Sequence, residues 1–215
     1  MQMTSSMFSE LSGHEQAQAA ALLEDCATQT IRAGSIRSSA AFEGTTFLFL
    51  EEGVVLVESL SSPLNRVVIV SLAGSGTPLL PPAQAEHLIA LTDVLLKAIA
   101  PPTLSRLLRI PGVAAMLIER LAEQLRESHE SLSLEGAVHH VERVRAKLLQ
   151  LARSHGRVAG DGVRLDLPLT HDLLARTVGS TRATVTRALA ELRTEGFLRR
   201  DGRSFVLIIP PESLA

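Results

Sequence analysis

The chain has 215 residues, enough for one large or two small domains, and its 46% hydrophobic and 20% charged content is typical of a globular protein. No apolar run is long enough to cross a bilayer. The N-terminal MQMTSSMFSE lacks a basic segment followed by an apolar one, so neither a membrane span nor a signal peptide is predicted. The single cysteine, Cys26, excludes an internal disulfide and a four-thiolate cluster. These features predict a cytoplasmic protein.

Charge is distributed unevenly along the chain, whose net charge is −2. Residues 1–138 carry 8 basic and 15 acidic side chains, whereas residues 139–209 carry 13 basic and 7 acidic ones. A concentration of positive charge in one segment is what neutralisation of phosphates requires. Trp and Tyr are absent, although single-strand and RNA binders commonly stack bases on aromatic rings. The composition therefore favours double-stranded DNA as the partner of the C-terminal segment.

The N-terminal part, residues 1–103, is predicted to be a helical lead-in followed by an antiparallel β-sandwich. The helical lead-in is assigned to residues 1–30, which contain an Ala- and Leu-rich run. Thr45–Ser59 predicts two strands on either side of Glu51-Glu52-Gly53, and Asn65–Leu72 predicts a third. Short strands separated by closely spaced turns indicate a sandwich or a barrel.

Residues 104–137 are predicted to form a long helix that pairs two copies of the chain. Pro111 suits the first turn of a helix, and apolar or small residues follow it at alternating spacings of four and three. This heptad pattern predicts a dimer seam, and the alternative is a single amphipathic helix packed on its own sheet. The predicted interface residues are Ile118, Leu121, Leu125 and Leu132.

The segment Leu169–Phe197 predicts two short helices joined by a tight turn. Thr170 is placed to cap the first helix, and Gly179 interrupts the apolar pattern as a residue with positive φ would. Ser180 or Thr181 is placed to cap the second helix. Such a pair is a helix-turn-helix, although amphipathic helix pairs also occur on the surface of ordinary bundles.

A predicted hairpin follows the two helices, and another strand pair precedes them. Phe197–Ile209 contains Asp201-Gly202, a strong hairpin signal, and Val158–Leu167 contains the turn signal Asp161-Gly162. Strands, helix, turn, helix and hairpin in this order describe a winged helix, which is assigned to residues 138–215. The protein as a whole is therefore predicted to be of the α+β class.

The second helix of the pair has a polar face that suits DNA. Arginine forks read guanine edges in the major groove, and hydroxyls near a helix start hold phosphates. We expect Arg182 and Arg187 to contact bases, with the other polar residues and the hairpin arginines on the phosphates. The predicted DNA-binding residues are Thr170, Ser180, Thr181, Arg182, Thr184, Arg187, Arg199 and Arg200.

The stretch Gly179–Phe197, GSTRATVTRALAELRTEGF, closely resembles the helix-turn-helix of the Crp/Fnr (cyclic-AMP receptor protein and fumarate–nitrate reduction regulator) family. The family's R-x-T-V-x-R core begins here at Arg182 and ends at Arg187. Ala183 stands where the family often has Glu, so the hydrogen bond that a carboxylate accepts from a cytosine amino group is not expected here. The resemblance implies a transcription regulator with a jelly-roll, cyclic-nucleotide-binding-like sensor domain and a dimerisation helix. It also implies a homodimer on a palindromic site and contact with RNA polymerase.

The sensor-like domain departs from the family members that bind cyclic AMP. Their phosphate-binding segment has a G-E-x-x motif and an arginine, whereas Thr77–Leu91 has neither glycine nor arginine and contains Pro81-Pro82. Cyclic AMP is therefore not expected as the effector, whose identity stays open. By the resemblance, Ser128 and His129 fall near positions that touch effector. Two alternatives remain, namely an effector-independent regulator and a winged helix used for protein interaction.

No cofactor, metal site or catalytic site is predicted, although the chain has seven histidines. His139 and His140 are adjacent, so on a helix they point in different directions and do not readily share an ion. No HExxH motif or Cys/His cluster occurs. A haem ligand at His87 or His129 remains an alternative, because some members of the family sense gases in that way. Ser, His and Asp occur without a nucleophile-elbow context, so an enzyme is not expected.

Overall fold

The computed structural model describes Phe8 and residues 11–61, 66–134, 139–202 and 204–214. The chain divides into two compact units, Met1–Gln124 and Leu125–Ala215. Within the described ranges, no helix is long and apolar enough to cross a membrane. The predicted boundaries after residues 103 and 137 stay predictions, since the division between the compact units falls inside a helix.

The first unit contains an antiparallel β-sandwich, as predicted. Its two four-stranded sheets have the strand orders β1-β8-β3-β6 and β2-β7-β4-β5. The elements, in chain order, are α1 (Gly13–Glu24), β1 (Ala27–Ile31), β2 (Ile36–Ser38), a 3-10 turn (Ser39–Phe42), β3 (Phe47–Glu52), β4 (Val54–Ser61), β5 (Arg66–Gly74), β6 (Pro78–Leu79), β7 (Glu86–Ala90), β8 (Val94–Ile99), α2 (Pro101–Leu107) and α3 (Pro111–Leu134).

The helical lead-in predicted for residues 1–30 is wrong at its C-terminal end. Helix α1 stops at Glu24, and Ala27–Ile31 is strand β1, paired residue by residue with Ala98–Val94 of β8. Two threonines in this segment favour the extended backbone, and burial of Ile31 fixes the strand against the sheet. The helix-forming alanines upstream did not reveal where the helix ends.

Strand β3 is buried on both faces, and this explains its continuous apolar sequence. Leu48 and Leu50 face the interior of the sandwich, where they pack with residues of both sheets. Phe47 and Phe49 point to the opposite face and pack against α1, α2 and the first turns of α3. The helices therefore cover the outer face of one sheet, and the sandwich has two apolar layers instead of one.

Glu15 ties α1 to the beginning of α3. Ser12 and Glu15 form a capping box, and Glu15 Oε1 accepts a hydrogen bond of 2.9 Å from the Gly112 amide. Hydrogen bonds from the Ser12 hydroxyl and the Gly112 amide lower the pKa of the Glu15 carboxyl. A carboxylate that joins two helix starts in this way stabilises their relative position.

Helix α3 has two apolar faces. One face is buried against the first unit by Val113, Met116 and Leu117. The other carries Ile118, Leu121 and Leu125, whose exposed fractions are 67%, 38% and 58%. Packing on its own sheet therefore accounts for the first face and leaves the predicted seam uncovered. The side chains of Leu132, Ser128 and His129 lie outside the described residues, and their predicted roles stay predictions.

The second unit holds the winged helix, also as predicted. Its strands form one antiparallel sheet of order β11-β12-β10-β9. The elements are α4 (His140–His155), β9 (Gly156–Ala159), β10 (Gly162–Leu165), α5 (His171–Thr177), α6 (Arg182–Thr194), β11 (Leu198–Asp201), β12 (Ser204–Leu207) and a 3-10 turn (Pro211–Leu214).

Gly162 is required where β10 begins beside β12. Its φ is +148°, and a Cβ at this position would lie 2.0 Å from the carbonyl oxygen of Leu207. A side chain would therefore have to push the two strands apart. Gly160, in the same turn, has nothing within 4 Å of its Cβ position.

Candidate nucleic-acid interface

The turn between α5 and α6 is built from two capped helix starts and one glycine. Thr170 Oγ1 accepts a 3.0 Å hydrogen bond from the Leu173 amide, as predicted for the first cap. Gly179 has a φ of 61°, the left-handed conformation that its position implied. Thr181, and not Ser180, caps α6. The two helices are thereby fixed in a helix-turn-helix.

Helix α6 separates a buried stripe from a cationic face. The buried side chains are Val185, Ala188, Leu189 and Leu192. Arg182, Thr186 and Arg187 are exposed on other sides of the helix. Among the described residues, neither guanidinium has a hydrogen-bond or ion-pair partner, so both are available to a ligand. The two predicted base-contacting residues are thus both exposed and lie about one and a half helical turns apart.

Contacts from α4 hold the end of α6 in place. Arg145 forms an ion pair with Glu195, the C-cap of α6, and its guanidinium carbon lies 4.7 Å from the ring centre of Phe197. This position of the guanidinium over the ring is a cation–π contact. Glu195 also raises the pKa of Arg145 through its hydrogen bond. These contacts anchor the C-terminal end of α6 to α4.

His171, the first residue of α5, contacts the exposed face of α6. Its Nδ1 lies 2.9 Å from Thr186 Oγ1, and the Thr186 hydroxyl donates a 2.8 Å hydrogen bond to the Arg182 carbonyl. Burial lowers the pKa of His171, and the positive charges of Arg200 and Arg182 lower it further. Sequence reasoning missed His171, and its position directly after the capping Thr170 was the only available signal.

The two predicted wing arginines differ in their partners. Arg199 Nη2 and Nε lie 2.6 and 2.8 Å from Asp161 Oδ2, in the turn between β9 and β10. Arg200 stacks over the Phe205 ring at 5.5 Å, and its Nε donates to the Gly202 carbonyl. Asp161 therefore offsets the charge of Arg199, whereas Arg200 keeps its charge near the helix-turn-helix.

Ser180 lies close to the start of α4. Its hydroxyl oxygen is 3.4 Å from His140 Nδ1, and Arg143 Nη2 is 2.6 Å from the same nitrogen. Because a guanidinium only donates, Nδ1 of His140 must accept, which places the ring proton on Nε2. Arg143 Nε is buried and has no hydrogen-bond partner within the described part of the chain. In the sequence analysis, His140 was considered only as a metal ligand, and its contact with Ser180 was not predicted.

The remaining predicted residues can be placed as follows. Thr184 is half-buried, and its hydroxyl oxygen lies 2.9 Å from that of Thr181. His87 lies on β7 opposite Glu58 and Ser38. Among the residues that the structure describes, no three His, Cys, Asp or Glu side chains are grouped to hold a metal ion.

Helices α5 and α6, the turn between them and the hairpin that follows define a winged helix-turn-helix. Residues 142–215 match the family profile described as the Crp-like helix-turn-helix domain. With the sandwich upstream, the fold is that of Crp-like regulators. The C-terminal part of the chain is therefore a Crp-like helix-turn-helix domain.

Two curated relatives match about half of the chain. The CRP-like cAMP-activated global transcriptional regulator of Mycobacterium tuberculosis is 36% identical over 105 residues, which cover 49% of this chain and 46% of that protein. The global nitrogen regulator of Synechocystis sp. is 34% identical over 110 residues, covering 50% and 48%. The chain thus aligns with about half the length of these relatives.

Solved structures share the fold over most of the chain. A CooA mutant from Carboxydothermus hydrogenoformans has a TM-score of 0.73 at 18% identity, covering 90% of this chain and 88% of that one. A cyclic nucleotide-binding domain containing protein from Listeria monocytogenes has a TM-score of 0.73 at 20% identity, covering 92% and 97%. At these identities the likeness extends to the fold and not to the ligand.

Proposed function

We propose that this chain binds double-stranded DNA as a homodimer at a palindromic site and thereby regulates transcription. The observation that carries the proposal is the exposed face of α6, on which Arg182 and Arg187 have no partners among the described residues while the opposite side is buried. The basic balance of residues 139–209 supports it, because phosphates must be neutralised. The uncovered apolar face of α3 supports pairing, and the resemblance to the Crp/Fnr family supports contact with RNA polymerase.

In the proposed complex, α6 lies in the major groove and α5 crosses the phosphate backbone. Arg182 and Arg187 then reach base edges, where a guanidinium fork pairs with guanine O6 and N7. Thr170, Ser180 and Thr184 hold phosphates together with the wing arginines. The two-fold axis of the dimer places two half-sites about one helical turn apart.

Duplex binding measured across salt concentrations tests the proposal. Phosphate contacts release counterions, so the logarithm of the binding constant is expected to fall steeply and linearly with the logarithm of the salt concentration. An Arg182→Ala and Arg187→Ala double variant is expected to lose sequence preference first. A wild-type protein that fails to bind duplexes from a random pool, while it captures a protein partner, would instead support the protein-interaction alternative.

We further propose that cyclic AMP is not the effector. Leu79 of β6 and Leu88 of β7 are buried in the apolar core of the sandwich, and no polar or charged residue is buried in the described part of the chain. A buried cyclic phosphate needs a cation or several amide donors, and without them its burial costs several kcal/mol, about 2–7 for an unpaired polar group alone. The mycobacterial relative is named as cAMP-activated, but the match covers 46% of that protein, so its name does not identify the effector of this chain.

Arg37 of the sandwich is the cation on which this proposal can be tested, because a cyclic phosphate needs a positive partner. Half-buried Arg37 of β2 pairs with Leu88 of β7 in the antiparallel register, so both side chains share one face of the sheet. Its Nη1 donates to the Ile36 carbonyl. Calorimetric titration with cyclic AMP and cyclic GMP should show no binding at micromolar concentration. Binding that is lost in Arg37→Ala, together with stimulated DNA affinity, would overturn the proposal and identify Arg37 as the phosphate ligand.

A further inference from the structure

The hydrogen bonds around His171 determine which of its ring nitrogens carries the proton. Thr186 has one hydroxyl hydrogen, and it is donated to the Arg182 carbonyl at 2.8 Å. The 2.9 Å contact between Thr186 Oγ1 and His171 Nδ1 is then satisfied only when Nδ1 carries a hydrogen. In the neutral ring, the other nitrogen, Nε2, is therefore left as a bare acceptor.

The charges that act on His171 are all positive. Arg200 of β11 and Arg182 of α6 both act on it, and their positive charges disfavour a protonated ring. On its own helix, the next residue, Asp172, is exposed. In the free protein, burial and then the positive charges of Arg200 and Arg182 keep the pKa of His171 below its ordinary value, which favours the neutral ring. Arg182 and Arg200 thus supply two permanent positive charges, and His171 Nε2 supplies one hydrogen-bond acceptor.

From this arrangement we infer that His171 is a phosphate contact of the DNA-bound protein and acts in its protonated form, so that DNA binding takes up a proton at this residue. The inference rests on the DNA binding proposed above. Helix α5 begins at His171, and the first helix of a helix-turn-helix crosses the phosphate backbone. Phosphate oxygens only accept hydrogen bonds, so a neutral ring with a bare Nε2 would repel them.

Protonation removes that conflict, because Nε2 then donates a charge-assisted hydrogen bond. A phosphate near Arg182 and Arg200 also offsets the repulsion that these arginines exert on the imidazolium. The pKa of His171 is therefore expected to be higher in the complex than in the free protein. By linkage, DNA affinity rises as pH falls through the interval between these two values, and it is independent of this group outside the interval.

The experiment measures duplex affinity between about pH 5.5 and pH 8 at constant ionic strength, the range in which histidine titrates. The probe is a rhodamine-labelled duplex of about 40 base pairs, long enough for two half-sites, recovered from a random pool with the wild-type protein. Wild-type affinity is expected to rise by up to about tenfold per pH unit and subunit within the interval. His171→Gln should lose this part of the slope, whereas His14→Gln, an exposed histidine of α1, should keep it.

His171→Arg separates a phosphate contact from other roles, because its charge is permanent. Its affinity at about pH 8 should match or exceed that of the wild-type protein at low pH, without the histidine-linked slope. The imidazole proton resonances of His171 provide a readout that needs no variant. They should report a higher pKa in the complex than in the free protein.

Three results would overturn the inference. A His171→Gln slope equal to that of the wild-type protein would place the linked proton elsewhere. An affinity that falls with decreasing pH, and does so only when His171 is present, would make the neutral ring an acceptor for a base amino group. A wild-type protein that binds no duplex at any pH would refute the proposed DNA binding, and this inference with it.

Discussion

Replacing Leu121 and Leu125 by aspartate is expected to convert a dimer into monomers. The exposed fractions of the two leucines, 38% and 58%, together correspond to about one fully exposed leucine side chain in each copy. Burial of one such side chain contributes about 1.5–3 kcal/mol, so two copies contribute about 3–6 kcal/mol to association. At about 1.4 kcal/mol for each factor of ten, the dissociation constant should rise by roughly 10²–10⁴-fold.

Sedimentation velocity over a dilution series around 10 µM provides the measurement, because the dissociation constants of the wild-type protein and of the variant can then be compared directly. The matched control is a Glu119→Ala and Glu123→Ala double variant, since both glutamates are exposed on the same turns of α3 but lie off the seam. Circular dichroism verifies that α3 is retained. If the aspartate variant sediments as a dimer, the copies associate elsewhere and the reasoning from this face is refuted.

Three further predictions concern individual residues. Arg182→Ala should weaken binding to the selected duplex by about 1–3 kcal/mol and relax preference at one base pair per half-site, whereas the control Arg193→Ala should not. An equal loss of affinity on every duplex would make Arg182 a phosphate contact. Gly162→Ala should lower the free energy of unfolding by about 2–4 kcal/mol, and Gly160→Ala should change it by less than about 0.5 kcal/mol in urea denaturation. Glu15→Gln should lower the free energy of unfolding at neutral pH. Because folding lowers the pKa of Glu15 from 4.5, the difference in stability between the variant and the wild-type protein should vanish as pH falls through the pKa of the folded state. A stability difference that does not depend on pH would contradict the role of the carboxylate charge.

The helix-turn-helix was predictable because its determinants are local. The cap at Thr170, the left-handed Gly179 and the apolar spacing of α6 each depend on residues within one or two turns. The hairpins at Asp161-Gly162 and Asp201-Gly202 were predictable for the same reason, since an Asp-Gly pair is a local turn signal. Local signals therefore identified the C-terminal fold without knowledge of its packing.

The sandwich was less predictable, because strand identity there depends on distant partners. Strand β1 becomes a strand by pairing with β8, about 70 residues further along the chain. The uninterrupted apolar sequence of β3 shows burial on both faces but does not reveal that helices cover one of them. Such features follow from tertiary contacts, which periodicity within one segment does not encode.

The same distinction applies within the proposed DNA-binding surface. Helical periodicity placed Arg182 and Arg187 on an exposed face, and both were identified from sequence. It did not distinguish Arg199 from Arg200, because the ion pair of Arg199 with Asp161 spans 38 residues and depends on how β9 and β10 meet the wing. An arginine that must break such a pair gains less from a phosphate than one that is already free of carboxylates. Of the two wing arginines, Arg200 is therefore the one whose loss should weaken DNA binding more.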